Sequence, residues 1–152
     1  MPHQSSRRVS HRASIDDQHF RRVFEACEVS PAAFDHEAHV RLAYIYLCEE
    51  SVDGATARMK QAIQNFLQHL GADPAKYHET LTRAWIMAVQ YFRSKSREWE
   101  AGECASSAEF IAQNSVLLDS KIMLTHYSAA ALFSMKARST FVAPDIQAIP
   151  PP

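Results

Sequence analysis

Four histidines carry the spacing that best suits chemistry: His36, His39, His78 and His126. Imidazole nitrogen is the commonest metal ligand near neutral pH, because much of it is unprotonated there. His36 and His39 are an i, i+3 pair, which places two imidazoles on one helical face within reach of one ion. With His36 at 0°, 100° per residue puts His39 at about 300°, Val40 at about 40°, Ala43 at about 340° and Leu47 at about 20°. Both histidines therefore lie on an apolar stripe. With His78 at 0°, Leu81 falls at about 300°, Trp85 at about 340° and Val89 at about 20°, so His78 heads a second stripe. A third imidazole from a facing helix would complete a His3 site for Zn, Fe, Cu or Ni with one position open for water or substrate. Such an ion would polarise a carbonyl or supply hydroxide to a small-molecule substrate. His126, before Tyr127-Ser128, is the candidate fourth ligand.

Two other readings fit the same residues. The histidines form a buried polar network inside a non-enzymatic module that binds a partner or small ligand, His39 being satisfied by Tyr46 or a carbonyl. Or the chain is a metal-free acid/base enzyme using His78 or His36. Thr82 lies on the His78 stripe and can bond back to the carbonyl four residues earlier. Tyr44, Tyr46, Tyr77 and Tyr127 surround the constellation. The motif His36-Glu-Ala-His39 is one residue shorter than the zincin HExxH, which argues against a zinc protease.

The elements that position these side chains are helices. Apolar residues recur at helical spacing over about 16–29, 35–51, 53–70 and 74–94. Asp16 and Asp35 are predicted N-caps, Pro74 lies in a first turn, and Gly71 closes the third helix as a C′ residue. Shorter helical signals cover about 108–115, 119–125 and 128–138. No segment alternates with period two between hairpin turns, so no strands are predicted. The expectation is an all-α antiparallel bundle of five to seven helices over 15–143. Residues 1–14 read as a disordered tail, and 144–152 as an extended tail pinned by Ile146 and Ile149. In up-down topology the second and fourth helices are parallel, which brings His36, His39 and His78 to one end.

Composition narrows the class. The 152 residues suit one domain, with 47% hydrophobic and 22% charged residues. A net charge of −1 argues against a general grip on nucleic acid or an anionic membrane. Only three glycines occur, and none builds a phosphate loop. Cys27, Cys48 and Cys104, widely spaced and odd in number, read as reduced thiols of a cytoplasmic protein.

The segments Phe34-Asp-His-Glu-Ala-His-Val-Arg-Leu-Ala-Tyr, Lys76-Tyr-His-Glu-Thr-Leu-Thr-Arg-Ala-Trp and His126-Tyr-Ser, with Ala137-Arg and Pro144-Asp, resemble a small bacterial all-helical family. The resemblance spans about Phe34 to Pro150 and implies a helical fold but no particular activity. In architecture the chain is also similar to metal-binding bundles of the DinB/YfiT-like and hemerythrin-like kinds. It departs from the former in lacking a late HxxxH pair, and from the latter in having too few His and carboxylate ligands.

Overall fold

Short polar side chains start most of the helices. In the computed structural model, which describes residues 10–95 and 103–151, α1 spans Ile15–Glu25 and begins with a capping box. There Ser14 accepts from the Asp17 N–H, and the Asp17 carboxylate accepts from the Ser14 N–H. Asp35 caps α2, His36–Glu49. Ser51 caps α3, Val52–His69. A 3-10 turn at Pro74–Lys76, capped by Asp73, precedes α4, Glu79–Lys95. Pro74 therefore opens that turn and not the long helix, which starts five residues later. Ser106, Ser128 and Ser134 cap the short helices α5, Ser107–Gln113, α7, Ala129–Leu132, and α8, Met135–Ser139. Between them lie a 3-10 turn at Ser115–Leu118 and α6, Met123–His126. The expected last helix over 128–138 is thus two helices, because the Ser134 hydroxyl competes for the backbone N–H groups and starts a new turn.

Two helix ends share one device. After α3, the Gly71 N–H donates to the Gln68 carbonyl at 3.0 Å and the Ala72 N–H to the Leu67 carbonyl at 3.0 Å. Gly71 sits at φ +65°, as expected of a C′ glycine. After α1, the Cys27 N–H donates to the Phe24 carbonyl at 2.9 Å and the Glu28 N–H to the Val23 carbonyl at 3.0 Å. That is the same Schellman pattern, but the residue at φ 60° is Cys27, which has a Cβ.

The core is the mutual packing of α2, α3 and α4. α2 is the central element: Val40, Leu42, Ala43, Tyr44, Ile45 and Tyr46 are all fully buried. α1 covers α2 and α3, while α5 and the Ser115–Leu118 turn lie against α2, and α8 against α4. His36, at the start of α2, meets Trp85 with ring centroids 4.5 Å apart. Eight residues later on both helices, the Arg93 guanidinium lies over Tyr44. The two contacts advance in the same direction, so α2 and α4 run parallel, as the up-down topology requires.

The helical class holds, with one addition. Ser10–His11 (β1) and Glu103–Cys104 (β2) form a parallel pair, in register Ser10 to Glu103 and His11 to Cys104. The Arg12 N–H extends it to the Cys104 carbonyl at 2.8 Å, and Tyr44 Oη donates to the Arg12 carbonyl at 2.9 Å. Residues 10–14, read from sequence as tail, are therefore held by a strand and a helix cap; residues 1–9 lie outside the described range. The period-two signal was invisible because each strand has only two residues. At the other end, residues 145–151 form no helix or strand, and the chain bends at 145–147. Ile149 is buried; the Ile146 side chain is exposed and its N–H donates to the His126 carbonyl at 2.9 Å.

Candidate functional site: the histidine fasteners

His78 is the N-cap of α4. Its carbonyl accepts the Thr82 N–H at 3.1 Å, and its ring Nδ1 accepts the Leu81 N–H at 3.1 Å. Its Nε2–H donates to the Leu132 carbonyl in α7 at 2.8 Å. An acceptor Nδ1 and a donor Nε2 define one neutral tautomer with both nitrogens in use. Burial holds its pKa below the ordinary value, consistent with the neutral form. Thr82 Oγ1 donates back to the His78 carbonyl at 2.8 Å, as its spacing suggested.

His36 Nε2–H donates to the Leu117 carbonyl at 2.9 Å, fastening the 3-10 turn to the start of α2. Its ring packs edge-on against Trp85, seven residues along α4 from His78. His36 and His78 thus fasten different outer segments, the Ser115–Leu118 turn and α7.

His39 differs from both. Its ring stacks on Phe34, centroids 5.5 Å apart. The residue keeps some surface, but its Nε2 is sealed from solvent and has no hydrogen-bond partner. Tyr46 does not serve it: that hydroxyl donates to Glu25 at 2.8 Å. Burial, with a smaller repulsion from His36, pushes the His39 pKa down to about 4.

His126 Nδ1–H donates to the Gln147 carbonyl at 2.8 Å and pins the C-terminal segment. A fourth fastener was not foreseen: His11 Nε2–H donates to the Arg93 carbonyl at 3.0 Å. The sequence placed His11 in the tail, so no stripe flagged it. Among the described residues no group of three or more His, Cys, Asp or Glu side chains is placed to hold a metal ion. The constellation is therefore distributed along the bundle, and most of its rings bind backbone carbonyls.

A buried carboxylate is the second polar feature that sequence reading missed. Asp17, 1% exposed, accepts from Ser107 Oγ, from the Ser107 N–H at 2.8 Å, from the Ser14 N–H at 3.1 Å and from Arg41 Nε at 3.1 Å. Burial works to raise its pKa, but the hydrogen bonds from Ser107, Ser14 and Arg41 outweigh it and hold the carboxyl below its ordinary value. The signal was present as Ser14-x-x-Asp17, a capping box, though Asp16 is the more obvious cap by type.

All three cysteines are free. Burial pushes the Cys48 and Cys104 thiols up, which marks them as inert packing residues. No helix among the described residues is long and apolar enough to cross a membrane. Of the clefts on the surface of the described residues, two border clusters of charged side chains and bear on function. One, of about 650 Å³, lies beside Asp17, Arg41 and Ser107, whose polar groups already bond each other. The other, of about 480 Å³, is lined by α3, the Pro74–Lys76 turn, the start of α4 and α8. No family model, curated protein or solved structure matches this chain.

Proposed function

We propose that the chain is a non-catalytic helical binding module whose histidines fasten an outer layer of short helices to the α2–α3–α4 core. The observation that carries this reading is His78, whose two nitrogens are both committed to backbone partners. A ring in that state has no lone pair for a metal and no proton to exchange without breaking α4's cap. His36, His11 and His126 each spend one nitrogen in the same way. The reading predicts that His78→Gln loses stability and leaves any metal content unchanged. The test is elemental mass spectrometry of untagged protein, before and after reconstitution, alongside thermal melts of wild type and variant. One equivalent of metal that disappears in a folded His78→Gln variant would overturn it.

One observation favours a second reading, a divalent ion (Zn, Fe, Cu or Ni) held by a smaller set. His39 Nε2 is buried and unpartnered, and His36, one turn away, uses only Nε2, which leaves Nδ1. A ligating histidine commonly donates its other N–H to a carbonyl, as His36 does. On this reading metal content follows His36→Ala and His39→Ala but not His78→Gln, and the chemistry is metal-assisted turnover of a small molecule.

A further inference from the structure

We propose that the cleft between α3 and α8 binds a small organic anion, a carboxylate or phosphate group carried on an apolar body. This rests on the reading of the chain as a binding module and names its site and ligand class. The cleft's volume, about 480 Å³, falls within the usual range for small-molecule sites.

Charge is unbalanced there. Lys60 Nζ lies 3.3 Å from Glu79 Oε2, so those two neutralise each other. Lys136 and Arg138, on the α8 wall, have no carboxylate within ion-pair distance among the described residues. Arg138 is held in place by donating from Nη1 to the Ala75 carbonyl at 2.8 Å, which fixes its guanidinium at the rim with other N–H groups to spare. Two unmatched cations on one wall select an anion.

The floor supplies the rest of the ligand. Tyr77 is 7% exposed, yet its hydroxyl lacks a hydrogen bond of good geometry; its polar neighbours are Glu79 and Thr82. Thr82 Oγ1 already donates to His78, and the Glu79 carboxylate is shared with Lys60. Tyr77 lines the cleft, but its hydroxyl is sealed among Glu79 and Thr82 and does not face a ligand. Pro74, Ala75 and Met135 add apolar surface. Met135 is 89% exposed, unusual for a large apolar side chain beside a concave site. An anion on Lys136 and Arg138, with its body over Met135 and Pro74, uses these features.

The test is an amide chemical-shift titration of the full chain with phenyl phosphate, benzoate and, as a cationic mirror, benzamidine. Phenyl phosphate or benzoate should bind saturably, with shifts centred on residues 60–64, 74–79 and 135–139, while benzamidine does not. Whichever of the two anions binds tighter identifies the head group as phosphate or carboxylate. Lys136→Glu, at an exposed position, should weaken binding about tenfold, with the dispersed spectrum reporting that the variant is folded. Absence of shifts with both anions at about 10 mM, equal binding of benzamidine, or an unchanged affinity in folded Lys136→Glu would each overturn the proposal. None of these outcomes touches the histidine reading, which is decided by metal content and the His78→Gln melt.

Discussion

Replacing His39 by leucine should flatten part of the acid sensitivity of this fold. The His39 imidazole is neutral in the folded protein, with its pKa depressed to about 4 against an ordinary 6.5. As pH falls below 6.5, the unfolded chain takes up a proton at this position and the folded protein does not. Stability from the neutral ring is therefore fully present above pH 6.5 and lost progressively down to pH 4. Linkage with these two values gives a loss of about 2 kcal/mol between pH 7.5 and pH 5, saturating at about 3.4 kcal/mol below pH 4. Leucine keeps an apolar side chain against Phe34 and removes a sealed nitrogen that has no partner, so at pH 7.5 the variant should lie within about 1 kcal/mol of wild type. At pH 5 the variant should gain about 2 kcal/mol relative to wild type. His11 and His78, also held low by burial, add their own acid sensitivity to both proteins, so the difference between the two isolates His39. Urea unfolding at pH 7.5, 6 and 5 measures it. A wild-type-to-variant difference constant to within about 0.5 kcal/mol across that range would refute the reasoning, because a ring that titrates normally in the fold contributes no slope.

Four further substitutions probe other parts of the structure. Cys27→Gly should stabilise by about 0.5–1 kcal/mol, since Cys27 holds the left-handed position that Gly71 fills at the end of α3, and Gly71→Ala should cost about 1 kcal/mol for the converse reason; paired thermal melts check both. Asp17→Asn should cost about 2–3 kcal/mol by leaving Arg41 unmatched and weakening the bonds from Ser107. Because the folded pKa of Asp17 is depressed, the wild-type advantage should persist above the ordinary carboxylate range and shrink as pH falls below it, which acid titration of stability measures. His78→Ala should cost about 2 kcal/mol, from two lost hydrogen bonds. That corresponds to a Tm lower by about 4–8 °C, with faster amide exchange in α7.

The long helices were legible because burial, capping and termination agree in them. Asp35 caps α2, Gly71 ends α3, and the stripes through Leu47, Phe66 and Trp85 point inward. The short C-terminal helices were less so: a stretch of four or five residues has no period, and its bounds are set by the serines at 106, 128 and 134. The histidine reading shows the limit most clearly. Stripe angles identified His36 and His78 as inward-facing. Angle says nothing about which distant segment a ring meets. Nor does residue type distinguish a histidine that waits for a metal from one that binds a backbone carbonyl. That is decided by chain far away in sequence, Leu117 for His36 and Leu132 for His78. The α3–α8 cleft escaped notice for the same reason, since Lys60, Tyr77 and Arg138 have no sequence relationship to one another.

The two-residue parallel pair at Ser10–His11 has a consequence for the order of assembly. It joins chain positions about ninety residues apart, and closing so long a loop in a disordered chain costs about 4 kcal/mol of entropy. A ladder of two residues, with the Arg12 N–H as an added bond, cannot meet that cost unaided. The helices between must already have brought the ends together, and Tyr44, fully buried in α2, must be in place to donate its hydroxyl proton to the Arg12 carbonyl. The strand is thus a late arrival in folding, and the Arg12 amide records whether the bundle beneath it has closed.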